Sequence, residues 1–255
     1  MRAVIVLPTY NERENITTFL RAVREVPLGA DDVLDVLIVD DSSPDGTADV
    51  ARQAAAEFDA APDHNRGTTA VLVRPGKQGL GSAYRQGFAQ VLDDAAYEVV
   101  ISMDADLSHD PQVIPTMLAA LAEGADLVVG SRYVRGGGTT DWPVRRQLLS
   151  KWGNTYTRLV LGLDTHDCTS GYRAYRAPAL AAVEPASTAA EGYAFLTELV
   201  RRLTRQGYKV VETPIVFRDR TAGRSKMSGR IIAESMLLVT RWGLRDLFTG
   251  RRRGR

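Results

Sequence analysis

A chain of 255 residues, 44% hydrophobic and 25% charged, is long enough for one large globular domain with a sizeable core. A net charge of +1 argues against a nucleic-acid partner, so any basic function must be local. The single cysteine, Cys168, excludes a disulfide framework, and His64, His109 and His166 are too scattered for a zinc site. Each histidine reads as a surface residue or one behind the ligands, not as a ligand.

Ala3 to Leu7 reads as a first strand, ended by Pro8, and the Thr9–Asn15 turn leads into a helix that runs to about Val26. Met1-Arg2 leads straight into that strand with no secretory leader. Leu34 to Val39 is a second strand ending in Asp40-Asp41. Ser42 to Gly46 is dense in turn formers, and Thr47 opens a helix to Asp59. A polar loop over 60–68 precedes a strand at Val71–Val73, and Lys77 to Gly81 leads into a helix from Ser82.

Val99 to Met103 is a continuous apolar run, which predicts a strand buried on both faces, and it ends in Asp104-Ala105-Asp106. Asp110-Pro111 starts a helix to Ala122, with Asp as cap and Pro in the first turn. Asp126 to Gly130 is a fifth strand. This alternation predicts a single α/β domain, Rossmann-like, with a mostly parallel central sheet flanked by helices.

Beyond Arg132 the pattern loosens. A glycine loop at 136–138 is followed by an amphipathic helix over Arg145–Leu161, a short edge strand over Gly171–Arg176 and a helix over Phe195–Arg205. Tyr208 to Phe217 alternates around a proline and predicts an edge strand. Arg218 to Gly229 is basic and rich in small residues, suited to closing over phosphates. Residues 1–229 read as one domain, and 230–255 as an amphipathic helix with a basic tail. That helix, Ile231–Phe248, carries too many charges to span a bilayer. It either covers the core or lies in a membrane interface with Arg251 to Arg253. The expected location is cytoplasmic, peripheral on the cytoplasmic face of a membrane.

In an open α/β sheet, ligands gather at the carboxyl ends of the strands. Three such ends carry carboxylates: Glu12, Asp41, and the pair Asp104 and Asp106. Two adjacent carboxylates need a cation to offset them, and this oxygen pair suits Mg²⁺ or Mn²⁺ shared with substrate phosphates. Neither a glycine-rich dinucleotide fingerprint nor a P-loop is present. A bound nucleotide would be held by side chains and metal.

Pro8-Thr9-Tyr10-Asn11-Glu12, Val39 to Thr47, Asp104 to His109 and Gly130-Ser131-Arg132-Tyr133 stand in the order and spacing of family 2 glycosyltransferases with the GT-A fold. More narrowly, the chain resembles dolichol- or polyprenol-phosphate mannose synthases, from Ala3 to about Gly229. The resemblance implies a metal-dependent, inverting enzyme that moves mannose from GDP-mannose to a polyprenyl or dolichyl phosphate at a membrane surface. An integral membrane subunit is a further partner it allows.

The same resemblance implies roles for single residues. Pro8, Tyr10, Glu12, Val39 and Asp41 would surround the nucleoside. Asp104, Ala105 and Asp106 would hold metal and diphosphate, with Asp106 the main ligand. Ser108, where some relatives carry Gln, is a third candidate ligand. Arg132, Arg220 and Lys226 would face phosphate groups, and Arg146 and Ser150 the lipid phosphate. Asp104, Asp106 and Arg132 would carry the catalysis.

Two alternatives stand beside this one. A UDP-glucose:polyprenyl-phosphate glycosyltransferase shares the fold. A non-catalytic sugar-nucleotide-binding subunit is expected to have lost Asp104, Asp106 or Arg132, and all three are present.

Overall fold

The computed structural model describes residues 1–60, 67–188, 190–218 and 229–248. Arg220, Lys226 and the terminal arginines therefore lie outside the described residues. The strands are β1 (Arg2–Thr9), β2 (Val33–Asp40), β3 (Thr69–Val73), β4 (Val99–Ser102), β5 (Leu127–Ser131), β6 (Gly138–Thr139), β7 (Arg173–Arg176), β8 (Val210–Pro214) and β9 (Val216–Phe217). The helices are α1 (Arg13–Arg24), α2 (Thr47–Asp59), α3 (Leu80–Leu92), α4 (Ile114–Ala122), α5 (Val144–Leu161), α6 (Ala177–Ala182), α7 (Gly192–Arg205) and α8 (Gly229–Phe248).

Seven strands form one sheet in the order β3-β2-β1-β4-β7-β5-β8, and β6 pairs with β9 in a small second sheet. β1, β2, β3 and β4 run parallel, as their apolar runs predict. Successive side chains point to opposite faces, so one face of β1, β2 and β4 presents Ile5, Ile38 and Ile101 to Ile16 and Phe19 of α1 and Met117 of α4. The other face presents Val6, Leu37 and Val100 to Tyr84 and Phe88 of α3 and Phe195 of α7. A Cβ at Gly87 would stand 2.4 Å from Val6 Cγ1, so this glycine is what lets α3 press onto the sheet.

The stretch Gly171–Arg176 corrects an expectation. It does not form an edge: β7 lies inside the sheet, antiparallel to both β4 and β5. Two arginines in four residues suggest a solvent-facing strand, but both are satisfied internally. Arg173 is fully buried and donates to the carbonyls of Ser170 (2.8 Å) and Cys168 (2.7 Å). Arg176 Nε donates to the Ala125 carbonyl at 2.8 Å. Hydrogen bonding of this kind is what permits a buried charge. The Tyr208–Phe217 stretch does supply an edge, β8, before β9 leaves for the second sheet.

The last helix covers the core along one face and leaves apolar side chains exposed on the other. Val239 is buried, and Asp246 accepts hydrogen bonds from Arg201 on α7, with Arg201 Nε at 3.0 Å. Leu237, Leu244, Leu247 and Phe248 face outward. Among the described residues no helix is long and apolar enough to cross a membrane.

Candidate active site

The ends of β1 and β2 are joined by buried Asp40, which accepts from Thr9 Oγ1 at 2.9 Å, Ser43 N at 2.9 Å and Ser43 Oγ at 2.6 Å. The next residue does different work. Asp41 pairs with the buried Arg74 guanidinium, and its Oδ2 accepts from the backbone N–H of Gln78 (3.2 Å) and Gly79 (3.1 Å). Asp41 thus ties down the loop that enters α3. Pro8, Tyr10, Glu12, Asp41, Ala105 and Asp106 all line one cleft of about 520 Å³. Val39 does not reach it: its side chain is wholly buried in the core under α3.

The turn after β4 places the two aspartates. Leu107 takes a left-handed conformation, φ +60°, which folds the chain back on itself. Asp106 Oδ1 then accepts from Ser108 N at 3.1 Å and Ser108 Oγ at 2.6 Å. Ser108 is buried behind Asp106, with its hydroxyl proton directed at that carboxylate. The backbone N–H of Asp104 donates to His109 Nδ1 at 3.1 Å, and the His109 ring stacks on Tyr172 with centroids 5.1 Å apart. Burial pushes the imidazole below its usual pKa, against the pull of the Asp104 and Asp106 carboxylates. His109 thus forms a wedge behind the aspartates, its Nδ1 occupied as an acceptor.

The donor set fits a hard divalent cation. Among the described residues no three His, Cys, Asp or Glu side chains are grouped to enclose a metal. Asp104 and Asp106 both open on the cleft. Two carboxylates, completed by water and phosphate oxygen, are how Mg²⁺-type ions are commonly held.

Arg132 follows β5. Asp167, fully buried, accepts from Arg132 N (3.0 Å) and Nε (2.7 Å) through Oδ2 and from Nη2 (2.7 Å) through Oδ1. Desolvation alone would raise the Asp167 carboxyl, but the Arg132 charge and these hydrogen bonds outweigh it and hold it below the usual range. The Arg132 guanidinium lies 5.5 Å from the Trp142 ring centroid, and the Arg146 guanidinium 3.9 Å. Ser150 Oγ, one turn further along α5, accepts from Tyr133 Oη at 2.6 Å. Arg132, Arg146 and Ser150 line a second, narrower cavity of about 140 Å³, with Trp142, Leu149, Met236 and Val239 forming its apolar wall.

Asp104 and Gly171 line both cavities, as do Ala194 and Ser235. Asp104 thus sits where the two spaces meet, with Asp106 on the side of the larger. A Cβ at Gly171 would lie 3.6 Å from Asp104 Oδ1, so the bend leading into β7 brings its backbone against the aspartate. No sequence signal marks Lys77, Glu191 or Glu234, which line the larger cleft, or Asp167, which holds Arg132.

The sequence profile of Glycosyl transferase family 2 matches residues 4–183, a span that includes Pro8, Tyr10, Glu12 and the Asp-x-Asp turn lining the cleft. The chain belongs to that family. Undecaprenyl-phosphate mannosyltransferase of Micrococcus luteus is 44% identical over 253 residues, covering 99% of this chain and 98% of the relative. Polyprenol monophosphomannose synthase of Mycolicibacterium smegmatis is 44% identical over 244 residues, covering 96% and 88%. A solved mannosyltransferase of Pyrobaculum calidifontis in complex with GDP-Man and Mn²⁺ superposes with a TM-score of 0.61 at 21% identity, covering 100% of this chain and 65% of that one. The fold is GT-A, as the sequence motifs led us to expect.

Proposed function

We propose that the chain transfers mannose from GDP-mannose to a polyprenyl monophosphate of the dolichyl type, with inversion, giving polyprenyl-phosphate β-mannose and GDP. The observation that carries this reading is the meeting of two unlike cavities at Asp104. The larger has the dimensions and acidic strand ends for a sugar nucleotide. The narrower has an apolar wall beneath two guanidinium groups, the chemistry of a phosphate on a hydrocarbon chain. The names of the two relatives at 44% identity support the same sugar and acceptor class.

The nucleoside lies along Pro8, Tyr10 and Glu12, and the diphosphate reaches Asp104, Ala105 and Asp106. Asp104 and Asp106 would hold Mg²⁺ or Mn²⁺, which would supply counter-charge to the diphosphate. By family resemblance Arg220 and Lys226 add to that charge from outside the described residues. An oxygen of the acceptor phosphate attacks the anomeric carbon, the bond from that carbon to the diphosphate breaks, and its electron pair leaves with GDP. A phosphate monoester has its second pKa near 6, so at neutral pH no proton needs removing and no residue is assigned as general base. Arg132 and Arg146 offset the repulsion between two anionic substrates and hold the acceptor in line. With no residue moving a proton, kcat should show no dependence on an enzyme carboxylate or histidine between about pH 6.5 and 9.

Val144, Leu148, Leu149 and Trp152 are exposed on α5 beside the acceptor cavity, and Leu149 also lines it. Docking this face on a membrane leaves the prenyl tail in lipid while its phosphate enters the cavity. The test is incubation with Mn²⁺, a panel of labelled sugar nucleotides and a short polyprenyl phosphate. Mannose in a mild-acid-labile lipid, from GDP-mannose alone, is the expected product. Label arriving from UDP-glucose, or none reaching lipid, contradicts the reading.

A further inference from the structure

Lys77 stands in the loop between β3 and α3, and that loop is held unusually firmly. Arg74, 2% exposed, pairs with Asp41 and donates through Nε to Gln86 Oε1 at 2.9 Å. The N–H groups of Gln78 and Gly79 close on Asp41 Oδ2. From this fixed base the Lys77 side chain, itself exposed, brings Nζ to 3.8 Å from the centroid of the Tyr10 ring. Tyr10 and Lys77 come from different elements, and both line the larger cleft.

An aromatic face in a nucleotide cleft accepts a stacked base as readily as a cation. A base that takes the Tyr10 face moves the ammonium aside to the base edge. Lysine brings three donors and no acceptor to that edge. Guanine offers it O6 and N7, and uracil O4, whereas adenine and cytosine place an exocyclic amino donor there.

We propose that Lys77 reads the donor's nucleobase, selecting carbonyl-edged bases over amino-edged ones. This rests on the larger cleft being the donor site. The experiment measures calorimetric Kd values for GDP, ADP, UDP and CDP, with Mn²⁺, on the unaltered chain and on Lys77→Met. The four ligands carry the same diphosphate, so a lysine acting on phosphate would weaken all four alike.

The expected result is a GDP-over-ADP preference that falls about tenfold in Lys77→Met, the size of one charge-assisted hydrogen bond, with ADP affinity moving less than about twofold. Equal weakening of all four nucleotides, or an unchanged preference, overturns the proposal. If the unaltered chain binds UDP more tightly than GDP, the GDP-mannose reading fails. The UDP-over-CDP ratio then tests Lys77 in the same way.

Discussion

Asp167 holds one whole edge of the Arg132 guanidinium, accepting Nε–H at 2.7 Å through one oxygen and Nη2–H at 2.7 Å through the other. Its own backbone N–H donates to Glu212 Oε1 on β8 at 2.9 Å. Arg132 is thereby fixed in direction, and under the proposed function a pre-set charge does not have to reorganise during reaction. Asp167→Asn removes the charge from a buried pair and should cost about 3–5 kcal/mol of stability. The acceptor KM should rise while the Kd for GDP stays unchanged. The lowered pKa of Asp167 also sets a pH window. A carboxylate with a depressed folded pKa contributes stability above its unfolded value, about 3.9, and loses it as pH falls through the folded one. Thermal melts from pH 7 to about 3 should therefore fall more steeply below about pH 4 for the unaltered chain than for Asp167→Asn.

Asp106 and the residue behind it should separate in magnitude. Asp106→Ala should lower kcat at least about a hundredfold, roughly 2.7 kcal/mol, and EDTA should do the same to the unaltered chain. Ser108→Ala leaves both carboxylates but removes the hydroxyl that fixes Asp106. It should weaken Mn²⁺ affinity about tenfold, as loss of a ligand's orienting partner does. Titrating Mn²⁺ against GDP binding distinguishes the two.

Arg146 sits over Trp142 in the narrower cavity and does not line the larger cleft. Arg146→Ala should raise the acceptor KM about tenfold and leave the KM for GDP-mannose nearly unchanged. Steady-state kinetics with each substrate varied in turn checks this, and a shift in the donor KM alone would mean the two cavities are assigned the wrong way round.

The exposed leucines and aromatics of α5 and α8 should carry the chain to lipid. Sedimentation with anionic liposomes at low salt should bring down the protein, and high salt should release the electrostatic part, screened over about 10 Å at 0.1 M. Trp152→Glu, at a side chain 57% exposed, should weaken binding without altering the fold. Binding unchanged by this substitution would place the contact elsewhere.

The legible parts of the chain were those where one local pattern answered to one environment. β1, β2 and β4 are largely apolar runs, broken in β2 by the buried Asp35, because helices cover both faces, and the carboxylates at their ends follow from the parallel topology. β7 was misjudged because four residues with two arginines carry no periodicity, and the carbonyls that satisfy them come from Cys168, Ser170 and Ala125. Asp41 could be placed at the cleft but not turned toward Arg74, since its partner lies 33 residues away. Asp167 was hidden for the same reason: a buried ion pair between distant loops leaves no mark in either loop's sequence.

The stereochemistry of the lipid product tests the central claim most directly. The anomeric configuration of the mannosyl phosphate made from GDP-mannose can be read by NMR on the isolated lipid. A single in-line displacement by the acceptor phosphate, aimed by Arg132 and Arg146 with no enzyme nucleophile, predicts β-mannosyl phosphate throughout. An α-mannosyl phosphate, the mark of two displacements or of attack from the donor face, would contradict it.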